Sequence, residues 1–198
     1  MGFTIPQVDD ILAPYAEKSY NKYYKEYCTI MEGINQTVDL DKADEYAYNK
    51  TYRDCLQGCQ SWEMRFNTVG SSRGDYPFIA CSFGINTSRF GSMISRAFLE
   101  TRMGGQGAPG KKKIVLFPKL TFLYDENLHG EGKQLEWLFD VAIECSKKSM
   151  YPDFLSLTGE GYIASIYKKY GKVISLMGKE NKKNYTTLLP INKNFVNL

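Results

Sequence analysis

The chain reads as α/β, with strands set between helices in a pattern consistent with part of a barrel, and three observations carry that reading. Apolar residues recur at helical spacing over 133–149, where Leu135, Leu138, Phe139, Ala142, Ile143 and Ser146 share one face. Residues 76–85 are almost wholly apolar, as a strand covered on both faces must be. The order helix, helix, strand, helix, strand, helix, helix, strand then separates the strands by helical segments instead of hairpin turns. No internal repeat of fixed period is present.

Each element has its own justification. A first helix is expected over 8–31, with Asp9 and Asp10 near its start, where the helix dipole favours negative charge. Its face of Ile11, Tyr15, Tyr20, Tyr23, Tyr24 and Tyr27 is a mostly aromatic packing surface. Residues 33–39 connect it to a second helix from 40 to about 62, closed by the Gly58 region, so that two antiparallel helices result. A turn over 70–75 leads into the strand at 76–85, after which Thr87 or Ser88 can cap a helix running to about Met103. The next strand spans 114–124 and is interrupted by Pro118, which must lack a ladder hydrogen bond or sit at a bulge. After the helix at 133–149, Tyr151-Pro152 stops further helix, 161–170 is a short helical segment, and 172–177 is a last strand. Composition shifts at Lys179: nine of the last twenty residues are Lys or Asn and none is Gly, Ala or Asp, which predicts a disordered or loosely attached tail. The expected organisation is one α/β domain over 1–178, divided into a helical hairpin at 8–62 and an α/β part at 63–178, followed by the Lys/Asn-rich tail at 179–198.

Composition limits the function classes. A chain of 198 residues with 43% hydrophobic content can bury one real core. No run approaches the ~20 apolar residues that span a bilayer, and the N-terminus has no basic segment followed by an apolar one, so the protein is expected to be soluble and cytoplasmic. Met1-Gly2 invites myristoylation, but Pro6 stands where Ser or Thr is needed. The net charge of +3 resides in the tail, where four Lys face one Glu, and residues 1–178 balance at 21 basic and 21 acidic side chains. A neutral body gives no electrostatic case for DNA or an anionic membrane as partner. Cys28, Cys55, Cys59, Cys81 and Cys145 form no framework, and their odd count predicts reduced thiols in a reducing or anaerobic compartment.

Several motifs come close to known chemistry. Residues 105–112, GQGAPGKK, fall one residue short of a phosphate-binding P-loop. A P-loop follows a strand and opens a helix, whose free N–H groups face the phosphate; here a helix precedes and a strand follows, so a flexible basic connector is expected, with incidental anion affinity from Lys111, Lys112 and Lys113. Cys55 and Cys59 recur at the spacing of a radical-SAM cluster, but Trp62 replaces the third cysteine, and two thiolates cannot hold such a cluster. They read as small buried hydrophobes on one helix face. A closed zinc site needs four ligands, and His129 is the single histidine, read as a loop residue with no nucleophile beside it. The turn at 67–75 is the strongest local candidate for a site. Asn67, Ser71, Ser72 and Arg73 with Gly74 combine hydroxyls, a guanidinium and a permissive backbone, which suits a phosphate or ribose hydroxyls; a structural turn in which Arg73 pairs with Asp75 is the alternative.

Five segments carry a resemblance: FNTVGSSRGDYPF at 66–78, SFGINTS at 82–88, RMGGQG at 102–107, FPKLTF at 117–122 and SMYPDFLS at 149–156. Together they closely resemble the catalytic subunit of the anaerobic, class III, glycyl-radical ribonucleoside-triphosphate reductases. The likeness covers roughly 3–178 and stops where that family continues Met-Gly-Cys-Arg and this chain reads Met177-Gly178-Lys179-Glu180. The resemblance implies a ten-stranded α/β barrel around a finger loop that carries a thiyl cysteine. It also implies a glycyl radical installed by a radical-SAM activase, formate as reductant, nucleotide effectors, a structural zinc site and a homodimer acting on ribonucleoside triphosphates.

This chain departs from that pattern. Lys179 takes the place of the radical cysteine, and an amine has no comparable hydrogen-transfer chemistry. The segments that hold the family's glycyl radical, zinc site and second active-site cysteine have no counterpart in the sequence, so no catalytic residue and no metal site is assigned. Lys179 also excludes an intein, whose splicing starts from Cys, Ser or Thr. Intron read-through, a frameshift and a split gene all fit the tail. The expectation is a truncated piece of a partial reductase barrel, inactive alone, with unpaired sheet edges. Its rival is a split subunit that pairs with a complementing chain, or a non-catalytic nucleotide-binding or dimerisation module.

Overall fold

A computed structural model describes residues 2–68, 70, 74, 78–171 and 173, and these form an α/β unit around a four-stranded parallel sheet. The elements in order are β1 (Gly2–Ile5), α1 (Val8–Gly33), α2 (Leu40–Thr68), β2 (Phe78–Phe83), α3 (Arg89–Gly104), β3 (Lys119–Tyr124), α4 (Glu126–His129), α5 (Glu136–Ser149), β4 (Asp153–Ser156) and α6 (Tyr162–Tyr170). Strand order is β1-β2-β3-β4, with Phe3 opposite Ile79, Cys81 opposite Leu120 and Phe122 opposite Phe154. Among the described residues the sheet is open, with β1 and β4 at its edges.

Alternation along the strands sorts their side chains. Ile79, Cys81, Phe83, Leu120 and Phe122 join Ile94, Ala97, Phe98, Leu99, Leu138, Ala142 and Cys145 of α3 and α5 in the main core. The intervening residues Ala80, Ser82, Thr121 and Leu123 are buried as well, and Leu123 packs with Leu157, Ile163, Tyr167 and Val173 in a second, smaller cluster. Burial on both faces is what the apolar run at 76–85 predicts, although the ladder itself spans six residues, Phe78–Phe83.

Helix ends follow local chemistry where a cap exists. Ser88 caps α3 by accepting from the Gly91 N–H at 3.0 Å, and Gly105 closes that helix at φ 65°. α1 begins after Gln7, carries Asp9 and Asp10 in its first turn, and tolerates Pro14 inside it. Its aromatic face is only partly a packing face. Tyr20 meets Phe90 and Tyr27 meets Tyr46, each at 5.4 Å between rings, whereas Tyr15 is 69% exposed and Ile11 also faces solvent.

Several boundaries differ from the sequence reading. α2 passes through Gly58 and ends at Thr68, because Cys59 and Glu63 beyond that glycine are buried and their packing overrides its weak helix propensity. β3 starts only at Lys119, since Pro118 supplies no N–H to the ladder and 114–117 has no strand pairing. α5 starts at Glu136 after a set of turns over 130–135. β1, β4 and the single turn of α4 are additional elements. The strand expected at 172–177 and the tail at 179–198 lie outside the described residues, apart from Val173.

Gly58 gives a direct test of the helix extension. It is exposed, and a Cβ built there meets nothing within 4 Å. Gly58→Ala is therefore expected to stabilise the protein by about 0.5–1 kcal/mol in urea denaturation; a destabilised variant would show that the backbone at 58 is not helical.

Candidate functional site at the amino edge of the sheet

The segments that lead into the parallel strands bring a polar cluster together at the amino edge. At its centre is Arg102, in the last turn of α3 and wholly inaccessible to solvent. Its Nε donates to Glu63 Oε1 of α2 at 2.7 Å, its Nη2 donates to the Pro118 carbonyl at 2.6 Å, and its guanidinium carbon lies 5.5 Å from the Tyr151 ring centre. Among the described residues, the buried Nη1 has no hydrogen-bond partner. The second Glu63 oxygen accepts from Gln106 Nε2 at 3.2 Å, and that amide also reaches the Gln60 carbonyl at 3.3 Å. An ion pair this deeply buried, with both side chains closed to bulk solvent, holds structure in place.

Asn67 lies one turn after Glu63. Its Nδ2 donates to the Glu63 carbonyl and to the Phe117 carbonyl, each at 2.6 Å, and its Oδ1 accepts from the Phe117 N–H at 3.1 Å. The opposite amide orientation would set an oxygen against two carbonyls and an NH2 against an N–H, so the hydrogen bonds fix which atom is which. Next along the chain, Lys119 Nζ is 2.9 Å from Asp153 Oδ2 across β3 and β4, and that hydrogen bond raises the lysine pKa. Ser71, Ser72 and Arg73, with the alternative Arg73–Asp75 pair, lie outside the described residues; Gly74 is described, at φ 81°.

A second polar cluster lies at the carboxyl edge, on the turn after β2. Asp9 of α1 has no solvent exposure, and its Oδ2 accepts from the Gly84 N–H at 2.9 Å and the Ser95 hydroxyl at 3.1 Å. Burial raises its pKa, against the lowering effect of the Gly84 N–H. The Gly84 carbonyl is met by His129 Nε2 at 2.9 Å, while His129 Nδ1 lies 3.1 Å from the Asp125 N–H. Nδ1 also lies 3.0 Å from the Asp125 carbonyl, so hydrogen on Nε2 serves the Gly84 carbonyl and the Asp125 N–H while hydrogen on Nδ1 would serve the Asp125 carbonyl; burial lowers the pKa of the ring. His129 is thus a buried residue ending α4, 2% exposed, and not a loop residue; Phe122 and Tyr124 pack against it. Asn86 completes the turn by donating to Asp10 Oδ1 at 2.5 Å and accepting from the Ser88 N–H at 2.8 Å.

The remaining candidates are structural. Cys59, Cys81 and Cys145 are buried, Cys55 is half-buried, and all five cysteines are free thiols. Burial pushes the Cys55 thiol up to about 11 and Cys81 up to about 12, away from nucleophilic reactivity. Among the described residues, no group of three His, Cys, Asp or Glu is placed to hold a metal ion, and no helix is long and apolar enough to cross a membrane. The segment over 105–112 connects α3 to the approach of β3 and is closed by an isolated bridge between Gln106 and Lys113.

Four of the five segments singled out in the sequence, at 66–78, 102–107, 117–122 and 149–156, thus contribute to or adjoin the amino-edge cluster, and the fifth, at 82–88, forms the carboxyl-edge turn. The family model for anaerobic ribonucleoside-triphosphate reductase matches residues 2–183. The chain belongs to this family. The match runs five residues past Gly178, where the sequence reading ended the likeness. An anaerobic ribonucleoside-triphosphate reductase of Escherichia coli (strain K12) is 33% identical over 156 residues, 78% of this chain and 20% of that protein. The reductase of Enterobacteria phage T4 is 34% identical over 159 residues, 78% of this chain and 24% of the relative, and that of Haemophilus influenzae (strain Rd) is 30% identical over 185 residues, 93% and 25%. The chain therefore spans about a fifth to a quarter of the length of the curated relatives it matches. Membership in the anaerobic ribonucleoside-triphosphate reductase family makes this a chain of an oxidoreductase family.

The two buried groups that organise the edges, Asp9 and Arg102, carried no local signal as site residues. Their partners lie 75 and 39 positions away, at Gly84 and Glu63. The weak hint for Asp9 was its place in the first turn of an amphipathic helix; for Arg102 it was the RMGGQG segment itself.

Proposed function

We propose that this chain supplies part of the ten-stranded α/β barrel of an anaerobic ribonucleoside-triphosphate reductase, whose radical chemistry reduces ribonucleotides to deoxyribonucleotides with formate as reductant. The observation that carries this reading is the family match over 2–183 on a chain whose described strands form a parallel sheet. A sheet whose described strands leave it open at both edges is compatible with a place in a larger closed barrel.

In this reading the partners are ribonucleoside triphosphates, a radical-SAM activase and a complementing reductase chain that pairs with a free sheet edge, within a cytoplasmic, homodimeric enzyme. The segment beyond α2, read from the sequence as a turn, meets the phosphates or ribose hydroxyls through Ser71, Ser72 and Arg73. The glycyl radical, the nucleotide effectors and the structural zinc belong to other parts of the assembled reductase. The chain alone does not turn over ribonucleotides: Lys179 follows Met177-Gly178 where the resemblance calls for the thiyl cysteine, and Cys59, Cys81 and Cys145 are sealed in the core.

Equilibrium dialysis of the purified chain against labelled ribonucleoside triphosphates, followed by assay with activase and formate, tests both parts. Nucleotide binding without deoxyribonucleotide formation is the expected result. Turnover by the chain alone would overturn the proposed inactivity, and a lack of binding would overturn the proposed site.

A further inference from the structure

Asn67 looks from sequence like a ligand residue, yet both N–H donors of its side chain are committed to backbone carbonyls, those of Glu63 and Phe117, and its Oδ1 takes the Phe117 N–H. The carboxamide exchanges two hydrogen bonds with the Phe117 peptide, as a neighbouring strand would. Phe117 stands two residues before β3, where the ladder has not begun. The next carbonyl, that of Pro118, is taken by Arg102, and Pro118 itself has no N–H. Every backbone hydrogen-bonding group of Phe117 and Pro118 is thereby claimed by α2 or α3, and Glu63 joins the two sets, accepting from Asn67 on its carbonyl and from Arg102 on its carboxylate.

We propose that Asn67 is a positioning residue and not a substrate ligand: its side chain substitutes for a strand partner of Phe117 and so fixes the peptide that delivers Lys119 to the start of β3. Lys119 is the half-exposed cation of the Lys119–Asp153 pair, so what Asn67 sets is the placement of that pair at the amino edge. The inference deepens the proposed nucleotide site, because it assigns Asn67 to the scaffold and leaves the turn beyond it to meet the ligand.

Amide hydrogen exchange of the full chain, followed residue by residue by NMR, tests this without any nucleotide. In the wild type the Phe117 amide should be protected although it lies outside the ladder. In Asn67→Ala its exchange should accelerate by about tenfold or more, with the Phe122 and Leu123 amides inside the ladder changing by less than about twofold. Asn67→Asp supplies a second variant with a signature that loss of packing would not produce. At neutral pH its carboxylate faces two carbonyls and the clasp fails; as the introduced carboxyl is protonated on acidification it regains a donor, and Phe117 protection should recover. Unchanged Phe117 exchange in Asn67→Ala would overturn the proposal. So would Asn67→Asp protection that does not depend on pH. A chain that bound no ribonucleoside triphosphate while showing the expected exchange would remove the nucleotide site and leave the clasp standing.

Discussion

Glu63→Leu is expected to cost about 3–5 kcal/mol of folding stability, because it strands the Arg102 charge at a position closed to bulk solvent. The guanidinium is already short of acceptors: among the described residues Nη1 has no partner, Nη2 has the Pro118 carbonyl, and Nε has only Glu63. Removing the carboxylate leaves one carbonyl and the face of Tyr151 to compensate a full charge at a residue with no solvent exposure. Removing the arginine as well removes the problem, so Glu63→Leu combined with Arg102→Met should recover most of the loss. Glu63→Gln should lie between, since an amide still accepts one hydrogen bond but no longer balances the charge. Urea denaturation of the four proteins at neutral pH measures these differences. If the single substitution fell within about 0.5 kcal/mol of wild type, the ion pair would not be the centre of the amino edge that its geometry describes.

The same residues show which parts of this fold were open to sequence reasoning. α1, α3 and α5 were legible because period and capping are local: Ser88 is three residues from the Gly91 N–H it accepts, and the apolar face of α5 repeats within its own length. β1 and β4 were not legible, since GFTI and DFLS are four residues each and become strands only by pairing with β2 and β3. The sequence ends α2 near 62 because Gly58 weakens helix propensity by about 1 kcal/mol there, while the burial of Cys59 and Glu63 that carries the helix on to Thr68 depends on α3. His129 looked like a loop residue for a similar reason. One helical turn carries no periodicity, and the Gly84 carbonyl that holds the ring is 45 positions away. At the candidate site the sequence found Asn67 but not its role, because the Phe117 peptide that occupies its carboxamide lies 50 positions downstream. The polar residue types were thus visible in order, and their long-range partners were not.

Asp9→Ala is the second large effect, expected at about 2–4 kcal/mol, because it leaves the Gly84 N–H and the Ser95 hydroxyl without their shared acceptor inside the fold. The conservative change separates hydrogen bonding from charge. Asp9→Asn keeps a carbonyl oxygen for those donors and discards a carboxylate that burial disfavours, so at pH 7 it should match or exceed the wild type. The sign follows from the direction of the shift. Asp9 has a folded-state pKa above its ordinary value of 3.8, so the folded protein holds that proton more tightly than the unfolded chain does. The stability this group contributes is complete below 3.8 and is lost as pH rises through the raised folded value. The wild type should therefore lose ground to Asp9→Asn as pH is raised across that window, and the gap should become constant at higher pH. Asp10 adds to the effect by repelling a charged Asp9, while the Gly84 N–H and the Ser95 hydroxyl oppose it. Thermal melts of both proteins from pH 3 upward would show this as a difference curve with one downward step. A difference that rises with pH would mean that Gly84 and Ser95 stabilise the carboxylate more than burial penalises it, and that the SFGINTS turn is held by a charge and not in spite of one.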